Sequence, residues 1–166
     1  MAATAGYLLG LNLEEIRRGM SNVTAISGRG HLIHTPKYLI LDDCYNANPK
    51  SVCAAIDVMK NALGRKVAIL GDMFELGEDS DELHAQVGEY AATNGIDSLI
   101  CVGTKSKHMY EAARVHENLE LRYYPNRDLL MKALSDENIE ILKDGDTILI
   151  KASHGMGFVE IVNMLS

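Results

Sequence analysis

Two carboxylates, Asp42 and Asp43, end the apolar run Tyr38–Leu41, and Cys44-Tyr45-Asn46-Ala47-Asn48-Pro49 follows them. Carboxylates can hold sugar hydroxyls or an ammonium group. Three more apolar runs hand over to polar loops in the same way. Gly71-Asp72-Met73-Phe74-Glu75-Leu76-Gly77 follows Val67–Leu70, Gly103-Thr104-Lys105 follows Ser98–Val102, and Lys151-Ala152-Ser153-His154-Gly155-Met156-Gly157 follows Thr147–Ile150. Lysine, and backbone N–H groups near a helix N-terminus, suit phosphate or carboxylate. Together the loops offer both signs of charge, as a zwitterionic ligand requires. The same residue types also cap helices and build turns, and a lysine at a strand end can snorkel to solvent. A structural reading of each residue therefore stands beside the chemical one.

The elements that must position these residues are legible in the apolar pattern. The short apolar runs, with a further one at Leu121–Tyr124, alternate with stretches of helical length: Pro49–Leu63, Asp81–Asn94, Lys105–Val115, Arg127–Leu134 and Phe158–Leu165. Continuous apolar strands separated by helices predict an α/β domain, a Rossmann-like, doubly wound, mainly parallel sheet flanked by helices. Ligands of such sheets bind outside the carboxyl ends of the strands, which is where the polar loops lie. Residues 1–30 do not share this rhythm. They read as a short helical N-terminal extension, with Asn12 as an N-cap, Glu15 at the third helical position, and Gly28-Arg29-Gly30 as a hinge before a strand at His31–His34. The expected division is 1–30 as the tail of another unit plus hinge, and 31–166 as the α/β domain.

Composition removes several function classes. Among 166 residues the formal charge is −7, which argues against nucleic-acid binding through clustered Lys and Arg. No apolar run approaches the roughly 20 residues of a membrane span. Three cysteines, Cys44, Cys53 and Cys101, lack metal-ligand spacing and read as reduced thiols of a cytoplasmic protein. His31 and His34 would point to opposite faces of a strand, so no metal site is expected there. His84 falls inside a helix, where packing is a more economical role than catalysis, and His108 and His116 show no evident partner.

Asp42–Pro49, Leu70–Gly77 with His84, and Ile150–Met156 closely resemble, in order, three motifs of the UDP-N-acetylmuramoyl-tripeptide:D-alanyl-D-alanine ligase family. Gly6–Arg29 resembles the end of that family's central ATPase domain, and residues from about 36 onward its C-terminal domain. The resemblance implies an ATP-dependent amide-bond ligase of peptidoglycan precursor synthesis. ATP with Mg2+ phosphorylates the tripeptide carboxylate, and the amine of D-alanyl-D-alanine attacks the acyl phosphate. It further implies Arg29, Asp43 and Asn46 at the nucleotide, and Asp72, Lys151, Ser153 and His154 at the incoming dipeptide. From charge, Lys151 is expected to meet the dipeptide carboxylate and Asp72 its ammonium. No complete GxxxxGK[ST] loop is present in the sequence. The expectation is a C-terminal portion, with no catalytic residue of its own, no metal site, no tightly bound ATP or Mg2+ and no activity in isolation. Where many family members carry Lys-Gly-Ser-Arg, this chain has Lys151-Ala152-Ser153-His154.

Other identities fit less well. A sister muramyl ligase or folylpolyglutamate synthase has a related loop after the first strand, but the Tyr45–Pro49 stretch and the Gly71–Gly77 motif favour the dipeptide-adding family. A phosphorylation-dependent receiver domain is imitated by Asp42, Asp43, Thr104 and Lys151, yet Gly103-Thr104 stands where its phosphoacceptor belongs. A dinucleotide-binding domain lacks its GxGxxG.

Overall fold

The structure, a computed structural model, describes residues 2–21 and 27–166; Met1 and residues 22–26 of the expected N-terminal segment lie outside the described residues. The strands are β1 (His31–His34), β2 (Leu39–Asp42), β3 (Lys66–Gly71), β4 (Ser98–Val102), β5 (Glu120–Tyr124) and β6 (Thr147–Lys151). They form one sheet in the order β1-β2-β6-β3-β4-β5. Only the β1–β2 pair is antiparallel. The helices are α1 (Ala2–Leu8), α2 (Leu13–Ser21), α3 (Pro49–Met59), α4 (Ser80–Thr93), α5 (Ser106–Ala113), α6 (Arg127–Leu134) and α7 (Val159–Leu165).

Strand residues alternate between two cores because successive side chains leave opposite faces of the pleat. On one face Leu41, Ala68, Leu70, Leu99, Cys101 and Leu149 pack against α3, α4 and α5. On the other, Ile40, Val67, Ile69, Ile100, Val102, Ile148 and Ile150 pack against α6 and α7. Both faces are covered, which is why the strands read as unbroken apolar runs. Asn48 caps α3 reciprocally with Ser51, and Pro49 opens the helix where its missing N–H costs nothing. The helix stops at Met59, short of Leu63, which is 87% exposed and so gives the last residues no burial to hold them in a helix. Asn12 and Glu15 form the expected reciprocal cap of α2.

The strand order creates the clefts. β2 leads into α3 on one face, while its neighbour β6 leads into α7 on the other. β3 and β6 diverge likewise, and so do β4 (to α5) and β5 (to α6). Where adjacent strands send their chains to opposite faces, a crevice opens at their carboxyl ends.

At the base of the sheet Arg65 bridges Asp146 (2.7 Å) and Glu120 (2.6 Å), tying the entries to β3, β5 and β6 together. On the helical layer α4 lies so close to α5 that a Cβ on Gly88 would sit 2.2 Å from the Met109 carbonyl oxygen. Gly88→Ala should therefore destabilise the fold by about 1–3 kcal/mol through overpacking. That runs against helix propensity, which favours alanine by about 1 kcal/mol. A shift of the urea midpoint to lower concentration checks it; a midpoint that rises contradicts it.

Candidate functional site

The β2–β6 seam holds the densest chemistry. Asp43 N–H donates to the Ile150 carbonyl at 3.0 Å, carrying the parallel ladder one rung past the strand ends and setting Asp43 beside Lys151. Lys151 is 2% exposed, and its ammonium meets Asp43 Oδ2 at 2.5 Å and the Asn46 carbonyl at 2.8 Å, with the Asp43 carbonyl at 3.4 Å. Three protons face three acceptors. Asp43 Oδ1 keeps no hydrogen bond among the described residues. Breaking a buried pair leaves an uncompensated charge, so Lys151→Ala should cost about 3–5 kcal/mol in a denaturant titration. An unchanged midpoint would show that the pair is solvated.

Asp42, one residue earlier, is fully buried. Its carboxylate accepts from Gly28 N (2.7 Å), Ser27 Oγ (3.2 Å), Cys44 N (3.4 Å) and Cys44 Sγ (3.0 Å). It thereby holds the hinge to the sheet. Gly28 has φ +79°, and a Cβ there would lie 3.2 Å from the Tyr45 backbone nitrogen, so the approach needs glycine. Burial, and then the bond to Asp42, push the Cys44 thiol up to about 12, leaving it protonated and inert.

Tyr45 links both sides of this seam. Its N–H donates to the Gly28 carbonyl (2.9 Å), its ring carries the Arg29 guanidinium at 3.9 Å, and the His154 ring lies 5.4 Å away, tilted by 46°. Arg29 makes no ion pair among the described residues. A cleft of about 600 Å³ is lined by Arg29, Asp43, Asn46, Asn48 and Lys151 on a polar side and by Leu32, Leu41, Ala55 and Val58 on an apolar one. A second, of about 330 Å³, is lined by Cys44, Tyr45, His154 and Phe158.

The residues expected at the dipeptide do not converge. Lys151 sits with Asp43 in the first cleft and His154 beside the second, because the pairing of β2 with β6 places them there. Lys151, expected to meet the dipeptide carboxylate, here meets three internal acceptors. Ser153 is buried: its N–H donates to the Asp72 carbonyl (3.0 Å), and its Oγ accepts from Phe74 N–H (2.8 Å). Asp72 is 6% exposed, and its Oδ1 accepts from both Ser106 N (2.7 Å) and Ser106 Oγ (2.7 Å), capping α5 from outside the helix. Its Oδ2 has no hydrogen-bond partner among the described residues. Asp72 lines a third cleft, of about 330 Å³, with Gly103, Thr104, Asn126, Arg127, Gly155 and Met156. A Cβ on Gly103 (φ +122°) would lie 2.4 Å from Asp72 Oδ1, so this glycine makes room for the carboxylate.

His84 is fully buried and braces the loop that carries Asp72. Met73 N–H donates to its Nε2 (2.9 Å), and Nδ1–H donates to the Ser80 carbonyl (2.6 Å), a tautomer fixed by these partners. The loop includes Glu75 at φ 62°, a conformation non-glycine residues seldom adopt. His108 and His116 do have partners, Asp81 at 3.4 Å and Glu89 at 2.8 Å. Among the described residues no group of three or more His, Cys, Asp or Glu side chains could hold a metal ion. No helix is long and apolar enough to cross a membrane.

Ser106 and Arg127 complete these sites and were not singled out from sequence, whereas Tyr45 lies within the rim motif after β2. Arg127 follows β5 at the same rim as the other loops, which is signal enough to find it; nothing local marks Ser106.

A doubly wound sheet with paired charges at its switch point defines the class: over residues 28–154 the chain matches the family described as "Mur ligase, glutamate ligase domain", and it belongs to that family. Among relatives, it is 36% identical to the UDP-N-acetylmuramoyl-tripeptide--D-alanyl-D-alanine ligase of Escherichia coli, over 99% of this chain and 35% of that protein. A MurF structure from Acinetobacter baumannii is similar with TM-score 0.80 and 28% identity, covering 96% of this chain and 34% of that one. A MurF ligase from Thermotoga maritima, solved in complex with ADP, shares the fold with TM-score 0.75 at 24% identity, over 97% of this chain and 35% of that one. The chain thus spans about a third of the length of the relatives it matches.

Burial lowers the His84 pKa from its ordinary 6.5. The folded state resists a proton that the unfolded chain accepts, so the stabilisation is whole above about pH 6.5 and declines as pH falls below it. His84→Gln should be less stable than the parent at about pH 7.5, with the gap narrowing by about pH 5.5. Urea midpoints at both pH values test this, and a gap that does not narrow would refute it.

Proposed function

We propose that this chain is the C-terminal part of the ATP-dependent ligase that joins D-alanyl-D-alanine to UDP-N-acetylmuramoyl-tripeptide in peptidoglycan precursor synthesis. The observation that carries the reading is the first cleft. It joins Arg29, a cation with no ion pair among the described residues, to Asp43 and Asn46, beside an apolar wall. Arg29 is suited to neutralise nucleotide phosphates, and Asp43 to accept from ribose hydroxyls. The Escherichia coli relative, a UDP-N-acetylmuramoyl-tripeptide--D-alanyl-D-alanine ligase, and three motifs in its family's order support the rest.

In this reading residues 1–30 are the tail of the central domain with its hinge, and 31–166 are the C-terminal domain. Of the residues assigned to the dipeptide, Asp72 has the free carboxylate oxygen and takes the ammonium. Ser153 holds the loop that presents Asp72, and His154 borders the neighbouring cleft. Mg2+ accompanies ATP in this reading, and its ligands are sought in the rest of the complete ligase. The chain orients ATP and the acceptor amine and carries out no phosphoryl transfer itself. The location implied is the cytoplasm.

The test is an amide NMR titration with ATP and with adenosine. ATP should shift the signals of Gly28–Gly30 and Asp43–Asn48, and no phosphate should be released. Arg29→Gln should weaken ATP by about tenfold, the scale of one charge-assisted contact, and leave adenosine unchanged. Shifts confined to other surfaces would overturn the assignment of this cleft.

A further inference from the structure

We propose that the third cleft binds a short peptide as a zwitterion, with Asp72 taking its ammonium and Arg127 its free carboxylate, and that Asp128 occupies the carboxylate position until the peptide arrives. This rests on the acceptor-binding reading above and identifies the subsite within it.

The cleft lies where β4 and β5 send their chains to opposite faces of the sheet, a place where a crevice is built into the topology. At one end stands Asp72, nearly buried, with Oδ1 bonded twice to Ser106 and Oδ2 without a partner among the described residues. Among the described residues no cation pairs with Asp72. With Oδ1 held inside the fold, Asp72 presents Oδ2 to the cleft, where a ligand's ammonium can reach it.

Arg127 lines the same cleft and is held from behind. Its Nη1 donates to Glu160 Oε1 (2.8 Å) and to the Gly157 carbonyl (3.2 Å), which fixes the guanidinium against the start of α7. The opposite edge, Nε with Nη2, is the fork that matches a carboxylate's two oxygens. In this structure both donors share a single oxygen, Asp128 Oδ1, at 3.3 and 3.1 Å. Asp128 is the adjacent residue, and its side chain is 81% exposed. Two long bonds to one oxygen of a solvated neighbour form a weak contact. A ligand carboxylate offering an oxygen to each donor would displace it. The remaining walls are small or flexible: Gly103, Thr104, Gly155 and Met156. They leave room for a backbone with short side chains, and a volume of about 330 Å³ admits a dipeptide.

The experiment is an amide NMR titration of the whole chain with D-alanyl-D-alanine and with its C-terminal amide. The acid should move the amides of Gly103–Thr104, Asn126–Asp128 and Gly155–Met156, and bind about tenfold tighter than the amide. Arg127→Gln should remove that preference by weakening the acid alone. Asp128→Asn, which leaves the packing intact, should tighten the acid by about two- to fivefold by removing the competitor. Acid and amide binding equally, or a preference that survives Arg127→Gln, overturns the subsite. Acid-specific shifts at another cleft overturn it while leaving the dipeptide function in place. No shift anywhere at millimolar peptide sinks both.

Discussion

Lys151 and Asp43 are 108 residues apart in the chain, yet their pairing organises the whole rim. A lysine buried to 2% must find acceptors for all its protons, and it takes them from one loop: the Asp43 carboxylate and the Asn46 carbonyl. That fixes the path from β2 to α3. Asn48 is then placed to cap α3, and Tyr45 to receive Arg29 on its ring. The hinge is pinned by the adjacent carboxylate, Asp42. Two consecutive aspartates therefore do different work because the ladder turns one into the core and the other toward the cleft.

The contrast between Asp42 and Asp72 separates structure from function. Both are carboxylates at strand ends, nearly or fully buried, without a cation. Asp42 is satisfied by backbone, hydroxyl and thiol donors on both oxygens, so it has nothing left for a ligand. Asp72 is satisfied on one oxygen and open on the other. The difference follows from what each strand is next to. The hinge covers the end of β2, whereas the end of β3 faces the divergence of the β4 and β5 connections.

Three openings lie along one rim, each where strand-end loops diverge. Binding groups are here distributed by charge. Among the described residues, a cation without an ion pair stands at the first cleft, and a carboxylate oxygen without a partner and a loosely held arginine at the third.

The periodicity of the sequence by itself determined the sheet and its strands. Ser98–Val102 and His31–His34 coincide with the expected runs, and the other strands differ by a residue or so at their ends. Burial on both faces demands unbroken apolar runs, and that demand is local. Helix ends were less legible, because Leu63 and Val115 continue the helical spacing yet lie exposed. The motifs identified the family and three residues that do share one cleft: Arg29, Asp43 and Asn46. Only the tertiary structure decided that β6 inserts between β2 and β3, and this is what sets Lys151 against Asp43. It alone brought Ser106 to Asp72 and Arg127 across the rim from it. Strand order is a non-local property: the apolar pattern that makes a strand is the same whichever neighbour it pairs with, so a charge at its end cannot be assigned a partner until the sheet is assembled.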